Sequence, residues 1–218
     1  MATHEPTTGD EMPARLAREA RMPDSATVSE AASIVRAAFD DTLWNHTLRT
    51  HLLAVGWAER FDLRFEPEQL ALACLFHDLG MVPPWRDPAH AFTFAGSHAL
   101  RDFLEERGWE PRRIEAAMRA IDFHMQLRPR WDLGGTAGLL QVAAWMDVTG
   151  LRSRRLPAVV KEARRRFDRS GFFLRFNACV LRELASPRRA LGLLFPERFA
   201  PPSRLCGGAD QVGRDSTG

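Results

Sequence analysis

The stretch Leu70-Ala71-Leu72-Ala73-Cys74-Leu75-Phe76 carries no charged side chain, and it ends in His77-Asp78 followed by Leu79-Gly80. Seven apolar residues in a row belong inside a protein. Any fold that buries them also buries the imidazole and the carboxylate that close the run, and it must partner both, because an unpaired buried charge is very costly. Two further polar groups are set in the same way. His46 lies upstream on a separate apolar stripe, and Asp147 lies downstream in Ala143-Ala144-Trp145-Met146-Asp147-Val148. Imidazole nitrogen and carboxylate oxygen suit Zn, Fe, Mn and similar ions, so four such groups meeting in one interior would offset their desolvation by holding a cation. One divalent metal is expected, Zn foremost, with Fe or Mn as alternatives.

The interior in question is helical. Apolar residues recur with a 3.6 period almost throughout, and the period of two that marks strands is absent. The reading is an all-α domain, a bundle of about seven helices spanning 27–40, 42–62, 67–79, 94–107, 111–126, 136–150 and 157–185, the last broken near Ser170-Gly171. Pro67, Pro111 and Pro157 suit first turns, and Gly80 and Gly108 suit helix ends. Residues 1–24 read as a loose arm, 25–200 as the single domain, and 201–218, with Pro-Pro-Ser-Arg and Gly-Gly-Ala-Asp, as a disordered tail.

Helical phase sorts the histidines. Leu43, His46, Thr50, Leu53 and Trp57 share one face, which turns His46 inward. Ile114, Ala117, Ile121 and His124 share another, and Leu140, Ala143 and Asp147 a third. His98 instead shares its face with Arg101, Asp102 and Glu105 and is expected at an edge. His51 is off the phase of His46, His90 falls in a Pro-rich loop, and His4 in the arm.

These segments carry a resemblance. Asn45-His46-Thr47-Leu48-Arg49, Phe76-His77-Asp78-Leu79-Gly80, Phe92-Thr93-Phe94-Ala95-Gly96, Ala120-Ile121-Asp122-Phe123-His124 and Met146-Asp147-Val148-Thr149-Gly150 resemble the HD-domain superfamily over about residues 30 to 185, and within it the cyanamide hydratase-like branch. The resemblance implies that His46, His77, Asp78 and Asp147 hold the metal. Members with two metals add two histidines between the dyad and the last aspartate, an interval occupied here by His98 and His124. The polar face of His98 speaks against that arrangement.

The chemistry expected is hydration. A divalent metal with a free position lowers the pKa of bound water toward neutrality, and the resulting hydroxide would add to a small nitrile such as cyanamide. His124 is the candidate proton donor to the nitrogen. Trp44 and Phe94, with Phe92 and Met146 beside them, are candidates for a small apolar pocket, and Arg49 for a substrate contact or a pair with a carboxylate such as Asp122. The alternatives are hydrolysis of a nucleotide or other phosphate ester, with Arg49, Arg128 and Arg130 as clamps, and a ligand-sensing domain without turnover.

Composition limits the partners. Lys and Arg number 30 against 28 Asp and Glu, a net charge of +2, so the charge balance favours neither nucleic acid nor an anionic membrane. Three cysteines, Cys74, Cys179 and Cys206, form no CxxC and suggest no disulfide framework. No segment reads as a signal peptide or a membrane span, so the expectation is a cytoplasmic protein with a small-molecule substrate, a homo-oligomer being left open.

Overall fold

The computed structural model describes residues 8–199, with side chains from Met12 onward. Within that range the chain is all helical, with no strand. In order the helices are α1 (Thr8–Glu19), α2 (Ala26–Ala38), α3 (Asp41–Phe61), α4 (Pro67–Phe76), α5 (Phe92–Glu105), α6 (Pro111–Phe123), α7 (Gly135–Thr149), α8 (Pro157–Arg166), α9 (Phe172–Leu184), α10 (Pro187–Leu194) and α11 (Pro196–Phe199). None of the described helices is long and apolar enough to cross a membrane.

The helices that carry the polar groups start on side-chain caps. The Asp40 carboxylate accepts from the Leu43 amide at the head of α3, and Glu66 accepts from Gln69 at the head of α4, where Pro67 sets the first turn. Every residue of α4 from Gln69 to Phe76 is buried, so the apolar run is the axis of the bundle, packed by α2, α3, α5, α6 and α7. Burying each of its large side chains contributes about 1.5–3 kcal/mol. The helix ends where α5 crosses it. A Cβ on Gly80 would collide with the Phe92 carbonyl oxygen, and one on Gly96 would lie 2.6 Å from the carbonyl oxygen of Phe76. Two glycines thus let the backbones touch and fix where His77 and Asp78 emerge.

The count of helices exceeds the expected seven. The span 157–185 divides into α8 and α9, which are separated by Phe167 to Gly171, with Gly171 left-handed at φ 73°. Two short helices, α10 and α11, follow. The loose arm expected over 1–24 is corrected by α1 and the turn after it, which bury Ala17, Ala20 and Met22 against the bundle. His51, off the phase of His46, reaches that segment from α3: its Nδ1 donates to the Ala20 carbonyl at 2.9 Å. Pro13 inside α1 and the scatter of Thr and Glu around it conceal the stripe in the sequence. Residues 1–7 of the expected arm, and the expected tail over 201–218, lie outside the described residues.

Candidate metal centre

Two histidines end their helices in the same way. His77 caps α4 and donates from Nδ1 to the Cys74 carbonyl at 2.7 Å; His124 caps α6 and donates from Nδ1 to the Ile121 carbonyl at 2.6 Å. Each thereby bonds a carbonyl in the last turn of its own helix, that of Ile121 also taking the His124 amide. Each bond also fixes the tautomer, so Nε2 carries a lone pair and faces inward. His46, midway along the buried face of α3, is held from Nδ1 by the Asp147 carboxylate of α7 at 2.7 Å, which turns its Nε2 to the same point.

The lone pairs converge on one carboxylate. His77 Nε2 is 3.2 Å from His46 Nε2, and the Asp78 Oδ2 oxygen lies 3.5 Å from His46 Nε2 and 3.3 Å from His77 Nε2. His124 Nε2 is 3.8 Å from the other oxygen of Asp78. One ligand atom from each of His46, His77 and Asp78 falls within 4.8 Å of the others, and all three residues are buried. Neither Asp78 oxygen makes a hydrogen bond although both are sealed from solvent. Facing lone pairs and an unpartnered carboxylate are what a cation satisfies, so the residues fit a divalent metal. The electrostatics agree. Burial pushes the Asp78 carboxyl up, but the imidazoles around it, His77 foremost, hold it well below the usual carboxylate range. Burial lowers His77, and the Asp78 charge overrides it to raise that imidazole. His124 is pushed down to about 4, by burial first and then by His77.

Residues 43–150 match the family model of the HD domain, a segment that begins three residues before His46 and ends three after Asp147. These residues form an HD domain. No curated protein matches the chain. HD domains are typically metal-dependent hydrolases, and the His46, His77 and Asp78 cluster of this HD domain suits a divalent ion.

The other expected residues fall in different places. Asp147 stands behind His46 and outside the converging cluster. Its Oδ2 accepts from His46 Nδ1 and from Arg49 Nη2 at 2.8 Å, and its Oδ1 accepts from Arg49 Nε at 2.8 Å. Burial would raise its pKa, but His46 and Arg49 hold it below the carboxylate range. As placed, Asp147 backs His46 on the side away from the cluster, the carboxylate–histidine support familiar from metal sites. Arg49, fully buried, turns Nε and Nη2 to Asp147 and Nη1 to the Phe167 and Asp168 carbonyls, and it lines neither the cluster nor the cavity beside it. The expected proton donor, His124, presents a lone pair at Nε2.

A cavity of about 200 Å³ opens on the cluster. His46, His77, Asp78 and His124 line its inner end, and Ala144 and Val148 of α7 face Phe176 and Val180 of α9 along its length. Trp44 and Phe94 are buried elsewhere in the core and do not reach it, nor do Phe92 and Met146, although the Phe92 ring meets His124 edge-on at 5.7 Å. His98 is half-buried on α5, outside the cluster. Sequence reasoning gave a helix over the α9 residues but missed that it walls the cavity. Phe172 stacks on the His46 ring with centroids 4.4 Å apart and planes 20° from parallel, and Phe176 follows one turn on. Arg169, just before α9, donates to the Asp147 and Val148 carbonyls at the end of α7. The i, i+4, i+8 spacing of Phe172, Phe176 and Val180 is the available signal, and it is the same as that of plain core.

Proposed function

We propose that this protein is a metal-dependent hydratase that adds water across the triple bond of a small uncharged nitrile, cyanamide being the simplest case, to give the amide or urea. One observation carries the reading: the cavity that ends on the metal ligands has no Lys or Arg on its wall. A phosphate ester needs cations to bind and to stabilise its transition state. The arginines available to it are engaged or remote, Arg49 with Asp147, Arg130 with Asp132 and Glu197 at the surface, and Arg128 exposed.

His46, His77 and Asp78 would hold the metal, with His124 beside Asp78, and nitrogen-rich donors with one carboxylate suit Zn ahead of Fe or Mn. When bound, the metal supplies Lewis-acid activation of water near neutral pH. The protein's own residues handle the protons. Water adding to the nitrile carbon gives up a proton as the nitrogen gains basicity. His124 Nε2 faces the inner end of the cavity with its lone pair, so it can take that proton and then deliver it to the nitrogen, while the Ile121 carbonyl steadies the imidazolium at Nδ1. The imidic acid so formed becomes the amide by a proton shift, and no atom is lost.

The test pairs elemental analysis of the purified protein with assays on a panel of small nitriles, cyanamide included, and on a generic phosphodiester. About one metal per chain with nitrile turnover is expected. Phosphodiester hydrolysis alone would replace this reading with the phosphoesterase one, and turnover of neither substrate would leave a ligand-sensing domain.

A further inference from the structure

Beyond its metal end the cavity offers no polar atom to a ligand. Of its wall residues only two carry polar side-chain atoms, and both are committed: Trp145 Nε1 donates to the His124 carbonyl at 3.2 Å, and Thr149 Oγ1 donates to the Trp145 carbonyl at 2.6 Å. The remainder is Met125, Ala144, Val148, Phe176 and Val180. A substrate fixed by its reacting group at His46, His77 and Asp78 therefore lays the rest of itself against methyl, methylene and aromatic carbon.

Size agrees with this. The cavity, at about 200 Å³, exceeds the roughly 150 Å³ apolar cavity that takes up a benzene molecule. Cyanamide would leave most of it empty, and its amino hydrogens would face a wall that accepts none, at the cost that attends any buried unsatisfied donor. An alkyl or phenyl substituent fills the same space with no polar group to satisfy.

Resting on the hydratase reading above, we infer that the substrate is a nitrile bearing an apolar substituent of about four to six carbons, seated between α7 and α9, and that Val180 sets how long that substituent can be. Phe172 and Phe176 flank His46, with ring centroids 4.4 and 6.3 Å from the imidazole, so Val180, one further turn along α9, stands toward the far end.

The test measures binding as well as turnover, on the purified metal-bearing protein. Calorimetric titration with straight-chain amides from acetamide to octanamide, the products of the corresponding nitriles, should tighten about fourfold per methylene, the worth of about 0.8 kcal/mol for each buried CH₂, and then level off at about six carbons. Val180→Phe should bring the levelling to shorter chains and Val180→Ala should move it to longer ones; if the larger side chain prevents folding, the smaller one still decides. An affinity that ignores chain length, or a levelling that neither variant moves, overturns the inference. The two readings fail separately. A chain-length ladder in amide binding without nitrile turnover removes the hydratase and leaves the apolar-tailed ligand, whereas equal kcat/KM for cyanamide and for pentanenitrile keeps the hydratase and removes the tail.

Discussion

Replacing Arg49 with Met tests whether this arginine serves the substrate or the scaffold. The change keeps an apolar stem of similar length and deletes the guanidinium. In the folded protein Arg49 is 0% exposed and Asp147 2%, joined by two parallel bonds of 2.8 Å. Removing one partner of such a buried pair strands the other charge and costs about 3–5 kcal/mol. For a chain of this size each kcal/mol lowers Tm by about 2–4 °C, so Arg49→Met should melt about 6–20 °C below wild type. Asp147→Asn needs no guanidinium, so the double variant should recover part of the loss, with a coupling of about 0.5–3 kcal/mol in a double-mutant cycle. Urea unfolding followed by circular dichroism gives the four stabilities, and elemental analysis gives metal content. A single variant as stable as wild type, with its metal intact but its KM raised, would refute the scaffold role and return Arg49 to the substrate.

Two further outcomes are expected. His51 is buried and neutral, with burial lowering its pKa from the ordinary 6.5 to about 4. The unfolded chain then binds the proton more readily, so His51 stabilises fully above the ordinary value and loses that stability as pH falls toward 4; between about pH 7.5 and about pH 5 the loss is about 2 kcal/mol. His51→Gln should remove this part of the acid sensitivity in urea unfolding, and equal slopes in the two proteins would sink the assignment. For the metal, Asp78→Ala should empty the site by elemental analysis while His98→Ala keeps about one ion per chain; a His98 variant that loses half its metal would demand a second ion.

The sequence discloses the metal cluster because its members break a rule that composition otherwise obeys. Phase turns His46 inward, and the uncharged run that ends in His77-Asp78 carries that pair into the core with it. Phase says which way a side chain points and not what it meets. Asp147 points inward as expected but meets the back of His46 and the fork of Arg49. Trp44 adjoins a ligand in sequence yet lies two residues from His46, about 200° around the helix, and so packs away from it. Phe94 belongs to the turn that seats α5 on the end of α4, again in the core. The far wall of the cavity escaped for a different reason: the stripe on α9 would read the same whether it covered a ligand or a neighbouring helix. Short helices suffer most, because α1 has a proline inside and α10 and α11 span few turns, too few for a period to declare itself.

Because α9 lies wholly outside residues 43–150, the cavity joins the segment that matches the HD domain to a stretch of chain beyond it. The inner stretch holds the metal cluster and tolerates little change, since His77 and Asp78 depend on glycines pressed against carbonyls. The outer one reaches the site through the link Asp168–Gly171, pinned at Arg169 to the end of α7, and contributes the rings beside His46 and the lining at Val180. Substitutions along α9 would therefore reshape what the cavity admits without touching the residues that gather at its inner end. An engineer could rewrite positions 176 and 180 as one short cassette to change which ligands the cavity holds.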